Sequence, residues 1–233
     1  MELTLPAISR DRQRHAAPQV YEVLRERIMA LDLAPGTVLP RADLALHFGV
    51  SQTPVREALI KLGEEGLVDI FPQHATVVSR IDIGAALQAH FLRRAIELEL
   101  VHELAQLPPP RLKALVAELR RHLAQQKAAA AAGDYARFTA ADHDFHHAQY
   151  AAAGMLPLWQ LTRQRAGHVD RLRRLNLPAR GKMAAVMRDH RAIVAALAAR
   201  DGVAAQAAVR QHLAGTLTFV QQVQALHPGW VQG

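Results

Sequence analysis

The chain has 233 residues, half of them hydrophobic, no cysteine, and a formal net charge of +7. So much apolar material excludes global disorder, and the missing cysteines exclude a disulfide scaffold and thiolate metal sites; the composition suits a reducing cytoplasm. No run of about 18 apolar residues exists, so no membrane span is expected, and the stretch 1–19 has arginines but lacks the apolar centre of a secretory signal.

The positive charge invites a nucleic-acid partner. Its distribution complicates that reading. Residues 1–80 hold 9 Lys/Arg against 10 Asp/Glu, and residues 81–233 hold 19 against 11. Bulk charge therefore does not locate a DNA-binding domain, and pattern has to. The C-terminal arginines (Arg163, Arg165, Arg171, Arg173, Arg174) form either a solvated helix face or a surface that attracts anions.

In chain order, residues 1–17 read as a flexible arm. Val20, Val23, Leu24, Ile28 and Leu31 repeat at helical spacing, which predicts an amphipathic helix over 18–31. Pro35-Gly36 is a turn signal, and Val38-Leu39 suits a short strand ended by Pro40. Leu44, Ala45 and Phe48 mark a short second helix, stopped by Gly49. Ser51 or Thr53 can cap a third helix with Pro54 in its first turn, where a missing N–H costs little. That helix buries Val55, Ala58, Leu59 and Leu62. Two apolar runs, 67–71 and 76–80, around Pro72-Gln73-His74 predict a β-hairpin.

Helix, short helix, tight turn, helix and hairpin is the order of a winged helix-turn-helix, expected over 18–80. The turn at Gly49-Val50-Ser51 has to be sharp for the third helix to project into a major groove. Its outward face then carries Thr53, Arg56, Glu57 and Ile60, with Gln52 at the N-terminus. Arg forks onto guanine and Gln pairs with adenine; N-terminal amides, Ser51 and Thr53 suit phosphate. A protein-binding helix-turn-helix is the alternative.

The stretch from Leu33 to Val78 resembles the GntR family of bacterial regulators, most specifically at Gly49-Val50-Ser51-x-Thr53-Pro54-Val55-Arg56-Glu57-Ala58-Leu59. The resemblance implies that Arg41 and Arg56 contact DNA and that His74 stands at the wing tip. The chain departs from the family at Gln52, where Arg is usual, and at His74-Ala75, where Arg-Gly is usual.

From about Asp82 to 226 everything reads as helical, with expected helices at 83–107, 110–132, 134–153, 156–176, 181–200 and 202–226, followed by a tail over 227–233. The expected fold is therefore mainly α: an N-terminal winged helix-turn-helix plus a C-terminal all-α six-helix bundle. The alanine tract 128–132 reads as helix surface.

Polar residues stand in the middle of apolar stripes. Asp142 and His146 are i, i+4 neighbours on a face shared with Tyr135, Phe138, Phe145 and Gln149. His190 is flanked by Met187, Ile193, Val194 and Leu197, and His212 by Ala208, Val209 and Phe219. Each buried polar group needs a partner, and one metal ion satisfies all four. Asp plus three His suits zinc, nickel, manganese or iron, with positions left for water or ligand oxygen. His143 and His147 point away from that face. Arg94 shares a stripe with Leu87, Phe91, Leu98, Val101 and Ala105, where it either pairs with an internal carboxylate or faces a cavity and takes a carboxylate ligand.

Residues 82–226 resemble the ligand-sensing FCD domain of the FadR-like GntR subgroup, through Arg93-Arg94-x-Ile96-Glu97, Asp142-x-x-Phe145-His146, and the spacing of His190 and His212. The resemblance implies a six-helix bundle, an Asp/His metal site and small organic acids as effectors. The expected protein is a cytoplasmic, homodimeric regulator that binds double-stranded operator DNA, a repressor released by a small organic acid bound at the metal site of the C-terminal domain. The alternative is a helical metalloenzyme whose His3Asp site acts on a small carboxylate. No HExxH, no Ser/His/Asp string and no evident general base support that alternative.

Overall fold

A computed structural model describes residue 11 and residues 13–72, 74–215 and 220–233. The expected arm over 1–17 lies mostly outside the described residues. The first unit holds α1 (Ala16–Ala30), α2 (Arg41–Phe48), α3 (Gln52–Glu64) and the wing strands β1 (Val68–Phe71) and β2 (Ala75–Val78). β1 and β2 pair antiparallel, Val68 opposite Val78 and Phe71 opposite Ala75. Val38 bridges to Val77, so the short segment before α2 becomes a third rung of the wing.

The apolar spacing of α1 and α3 explains their packing. Val20, Leu24 and Ile28 meet Val55, Ala58, Leu59 and Leu62 in one core with Leu44, Leu67 and Val78. Each such side chain stabilises by about 1.5–3 kcal/mol on burial. Gly49 ends α2 at φ 61°, the left-handed conformation a glycine adopts without strain, and this sets the α2–α3 turn. Ser51 sits at the N-cap of α3 with extended backbone, but its side chain makes no capping hydrogen bond, contrary to the expectation that Ser51 or Thr53 closes that end.

The second unit is all helical: α4 (Ile83–Ala105), α5 (Pro109–Ala131), α6 (Tyr135–Ala152), α7 (Leu156–Arg165), α8 (Gly167–Asn176), α9 (Lys182–Ala198), α10 (Gly202–Ala214) and α11 (Val220–Leu226). Asp82, Asp134 and Asp201 accept from backbone amides three residues on and fix the starts of α4, α6 and α10. The core joins Leu100, Val101 and Leu104 of α4 to Leu119, Phe145, Ile193, Leu197 and Val209.

Three features differ from the sequence reading. The expected helix over 156–176 is broken at Ala166, giving α7 and α8. Gly167 opens α8 against the base of the wing: a Cβ there would lie 2.7 Å from Cδ2 of Leu67, so a larger residue would force the Leu67 side chain to shift. The expected tail forms β4 (Val231–Gln232), which pairs in parallel with β3 (Ile81–Asp82) in the interdomain segment. The alanine tract is not all surface, because Ala129 packs on Phe138, Val186 and Met187. The expected continuity of 202–226 falls partly on residues 216–219, outside the described residues.

The junction between the units is held by α8. Arg171 is fully buried and donates to the Ser79 carbonyl at 2.7 Å and to Ser79 Oγ at 3.1 Å. His168 Nδ1 accepts from the Asp82 amide at 3.1 Å. Ser79 Oγ in turn donates to the Gly66 carbonyl. Burial pushes Arg171 down to about 10 and His168 down to about 4.

Candidate functional site

α6, α9 and α10 deliver three imidazoles to one point. His146, His190 and His212 are buried, and one nitrogen from each lies within 4.8 Å of the others. The ring centroids of His190 and His212 are 4.5 Å apart. The convergence follows from packing: Phe145 stacks on His190 at 4.0 Å, and Ile193, Val209 and Leu213 close the same core around them.

Each free nitrogen is oriented by what holds the rest of its ring. His190 Nδ1 lies 3.0 Å from Gln126 Oε1, which makes Nδ1 the protonated nitrogen and leaves Nε2 a lone pair. His146 Nδ1 faces Glu97 Oε2 at 3.4 Å in the same sense. His146 Nε2, His190 Nε2 and His212 Nδ1 are buried without a hydrogen-bond partner. Burial pushes His190 down to about 3 and lowers His212 well below its ordinary range, so both rings are neutral. Three imidazole nitrogens turned toward one another inside a core without a hydrogen-bond partner are costly unless something cationic joins them. The donor set, with its outer nitrogens held by Glu97 and Gln126, fits a divalent transition metal.

Asp142 lies beside this cluster, its Oδ1 3.6 Å from His190 Nε2. Its other oxygen accepts from Arg173 Nη2 at 2.7 Å. Burial would raise this carboxyl, but the Arg173 guanidinium outweighs it and holds the group well below the usual carboxylate range. The structure thus brings Asp142, His146, His190 and His212 together, with the carboxylate shared between the cluster and α8.

Arg94 is a correction. It is exposed and makes no hydrogen bond or ion pair among the described residues. The arginine that turns inward is Arg93, whose Nε donates to Glu97 Oε1 at 2.7 Å. Burial would raise the Glu97 carboxyl, but Arg93 and His146 outweigh it and hold it down to about 2. The sequence misled because α4 carries apolar residues on opposite sides. Leu87 and Phe91, which defined the expected stripe, are 50 % and 66 % exposed, while Glu97, Leu100 and Leu104 face the core. Gln126 was missed altogether, and Glu97 and Arg173, though named in the sequence, carried no expected role at this cluster. Gln126 is detectable in hindsight, since Leu112, Leu115, Leu119, His122, Gln126 and Ala129 recur at helical spacing and all are buried.

His143 points away from the cluster, as its position on the helix predicts, yet not to bulk water. Its Nε2 is buried without a hydrogen bond and it lines a cavity of about 720 Å³. This cavity runs between α1 of the winged helix and α6 to α9 of the bundle, and Asp142 and His212 stand in its wall.

On the DNA-facing side, Gln52, Thr53, Arg56 and Glu57 are exposed on α3, opposite the buried Val55, Ala58, Leu59 and Leu62. Arg41 at the start of α2, Ser51 before α3 and His74 at the wing tip are exposed as well. The first turn of α3 therefore presents its amides and the unused Ser51 hydroxyl on the same side as Arg56.

Residues 16–78 match the family described as "Bacterial regulatory proteins, gntR family", and residues 88–215 match the FCD domain. The chain is 37% identical over 210 residues to an uncharacterized HTH-type transcriptional regulator of Streptomyces ambofaciens, covering 90% of this chain and 86% of the relative. It is 31% identical over 212 residues to the HTH-type transcriptional repressor RspR of Escherichia coli, covering 91% and 92%. Among solved structures it resembles E. coli McbR/YncC (TM-score 0.73, 23% identity, 90% and 98% of the chains). It also resembles a putative GntR regulator from Rhodococcus (TM-score 0.74, 21% identity, 88% and 97%). At these identities the structural likeness speaks for the fold alone.

Proposed function

Since this chain belongs to the gntR family of bacterial regulatory proteins and carries an FCD domain, it is a ligand-sensing, DNA-binding transcription regulator and not an enzyme, and we propose that its DNA affinity is set by a small organic acid held at a metal on Asp142, His146, His190 and His212. The observation that carries this reading is the set of three buried, unpartnered imidazole nitrogens within 4.8 Å of one another. When bound, a divalent zinc, nickel, manganese or iron ion supplies positive charge and coordination sites for carboxylate oxygens. The chain's own residues do the rest. Glu97 and Gln126 fix the ring orientations, Phe145 stacks behind His190, and the surrounding core excludes water. Arg93, in place of Arg94, is the guanidinium placed to balance an acid's charge.

Regulators of this family bind operator DNA, usually as dimers. We assign the base-reading role to Arg56 and Gln52 and the phosphate-holding role to Ser51, Thr53, Arg41 and His74, on exposure and placement around the first turn of α3. The DNA-binding unit is taken as 18–80 and the sensor as 82–226. Repression relieved by the acid is the proposed direction, in keeping with the E. coli relative's description as a repressor. No described helix is long and apolar enough to cross a membrane, and a DNA-binding role fits the cytoplasm.

The test is metal analysis of the purified chain together with binding to its own upstream DNA, with and without chelator and a panel of small carboxylates. Bound metal, and an operator affinity that moves with the acid only when metal is present, is the expected outcome. Unchanged operator binding in the presence of a tightly bound acid overturns it.

A further inference from the structure

The wing ends in a run of exposed apolar residues. Ile70 is 46 % exposed, Phe71 is 53 % exposed, and Pro72 is exposed beside them. Consecutive exposed apolar side chains at a hairpin tip, where turns are ordinarily polar, are unfavourable in water unless they serve a contact. The segment from Val68 to Ser79 has no Lys or Arg, and Asp69 and His74 are its ionisable side chains. A wing that grips phosphates needs cations, and this one offers an aromatic ring instead.

The register of the hairpin separates its two large side chains. Val68 stands opposite Val78, and Phe71 stands opposite Ala75. Ile70 shares the inner face with the buried Val68 and Val78, and its Cδ1 lies 3.3 Å from where a Cβ on Gly63 of α3 would stand. Side chains alternate along a strand, so Phe71 stands on the other face, across from the small Ala75. Asp69 is exposed on that face, two residues back, and repels a phosphate there. The segment before α2 braces β2: the Leu39 amide donates to the Thr76 carbonyl and the Gly36 amide to the Val78 carbonyl, both at 2.8 Å. Beyond Thr76 the tip is closed by the His74 amide, which donates to the Phe71 carbonyl at 3.2 Å. At about 3.4 Å per residue, Phe71 reaches about 10 Å beyond Val68. A hairpin tip with strands about 4.8 Å apart is comparable to a minor groove about 6 Å wide.

We infer that Phe71, backed by Pro72, is an apolar wedge for the minor groove of duplex DNA, seated at a base step beside the bases that α3 reads. This rests on the placement of α3 on operator DNA proposed above and adds a second, indirect mode of readout to it. An apolar side chain pushed against a base step partly unstacks it and kinks the duplex. The cost is least at the pyrimidine–purine steps TA and CA/TG, which deform easily. The wing therefore selects sequence through deformability, without a hydrogen bond to a base, and His74 is left for the phosphate at the groove's edge.

The test is selection from a pool of random duplexes with the full chain, followed by affinity measurements on the fragment that the parent enriches. The parent should enrich a core flanked at a fixed distance by a TA or CA/TG step. Phe71→Ser should keep the core, lose the flanking step and bind the parent's fragment about tenfold more weakly, the scale of one lost aromatic contact to a base. Phe71→Leu, still an apolar wedge, should retain the step. Both variants should melt with the parent, since Phe71 is exposed. A 2-aminopurine placed in the step should gain fluorescence with the parent and Phe71→Leu, but not with Phe71→Ser. Arg56→Ala separates the wedge from the reading by α3. A core lost in Arg56→Ala, with no flanking step in the parent, leaves α3 as the reader and removes the wedge. A flanking step that depends on Phe71, beside a core indifferent to Arg56→Ala, leaves the wedge and removes Arg56 as the reader. A flanking step kept in Phe71→Ser, one lost in Phe71→Leu, or a parent that enriches no sequence overturns the wedge. A Phe71→Ser chain that melts well below the parent makes the ring a packing residue and overturns it too.

Discussion

Arg173 of α8 donates to Asp142 of α6 at 2.7 Å, so the carboxylate that flanks the imidazole cluster is at the same time the anchor of the helix that grips the wing. Asp142 has two cationic claimants, a guanidinium and a bound metal. Arg173→Ala leaves a buried carboxylate with the metal as its only neutraliser. In chelator the variant should lose about 3 kcal/mol, the cost of stripping one partner from a buried pair. With metal restored most of that loss should vanish. The gap in Tm between metal-loaded and metal-free protein is therefore wider in the variant than in the parent. Equal gaps mean that Asp142 does not face the metal.

His190→Ala and His212→Ala should each lower metal content and thermal stability together, because binding confined to the native state stabilises it. Acidification should release metal only well below the ordinary histidine value of about 6.5, since ligand imidazoles have to be neutral and burial lowers His190 and His212. Elemental analysis beside a melting curve checks both. Metal content equal to the parent in both variants removes the assignment.

The two adjacent arginines of α4 should behave differently. Arg94→Ala, at an exposed position, should leave acid response and stability within about 0.5 kcal/mol of the parent. Arg93→Ala strands Glu97 in the core and should cost about 3 kcal/mol and abolish the acid response. Operator binding titrated with acid, for both variants, separates them. A response lost in Arg94→Ala alone would restore the sequence reading.

Arg56→Ala should weaken operator binding by about 1–3 kcal/mol and relax preference at one base pair, if the guanidinium reads a base edge. Arg41→Ala should weaken all sequences alike and lower the salt dependence by about one phosphate contact. Competition with random DNA at several salt concentrations distinguishes reader from anchor. An Arg56→Ala protein that binds operator and random DNA as the parent does is not missing a reader.

His168 gives the domain junction a pH dependence. Burial, then Arg171, pushes its imidazole down to about 4, and its Nδ1 accepts from the Asp82 amide. The unfolded chain takes up this proton near the ordinary histidine value, about 6.5, while the native state resists it. Between about 6.5 and about 4 the unfolded state binds more protons, so stability falls as pH falls. The contribution lost from about pH 7 to about pH 5 is on the order of 2 kcal/mol. Denaturant unfolding of His168→Gln, in chelator, should show a shallower pH slope than the parent. The same slope in both assigns the pH dependence to other groups.

The winged helix was legible in the sequence because its signals are local. Gly49, Ser51 and Pro54 set the turn and the start of α3, and Val20, Leu24, Val55, Leu59 and Leu62 define faces by spacing within one or two helical turns. Asp142, His146, His190 and His212 were legible for a related reason: a polar residue centred in an apolar stripe has to be buried, whatever lies opposite. The stripe does not say what meets it there. That Gln126 and Glu97 orient the rings, that Arg173 takes one oxygen of Asp142, and that Arg93 turns inward instead of Arg94 depend on which helices become neighbours. α4 is apolar on more than one side, so its own periodicity leaves its rotation open, and only packing against α8 and α10 settles which arginine enters. The same holds for Gly167 against Leu67 and Val231 against Ile81. Partners a hundred or more residues apart leave no periodic trace, because contact across a fold is a property of the assembled surfaces and not of any one helix's residues.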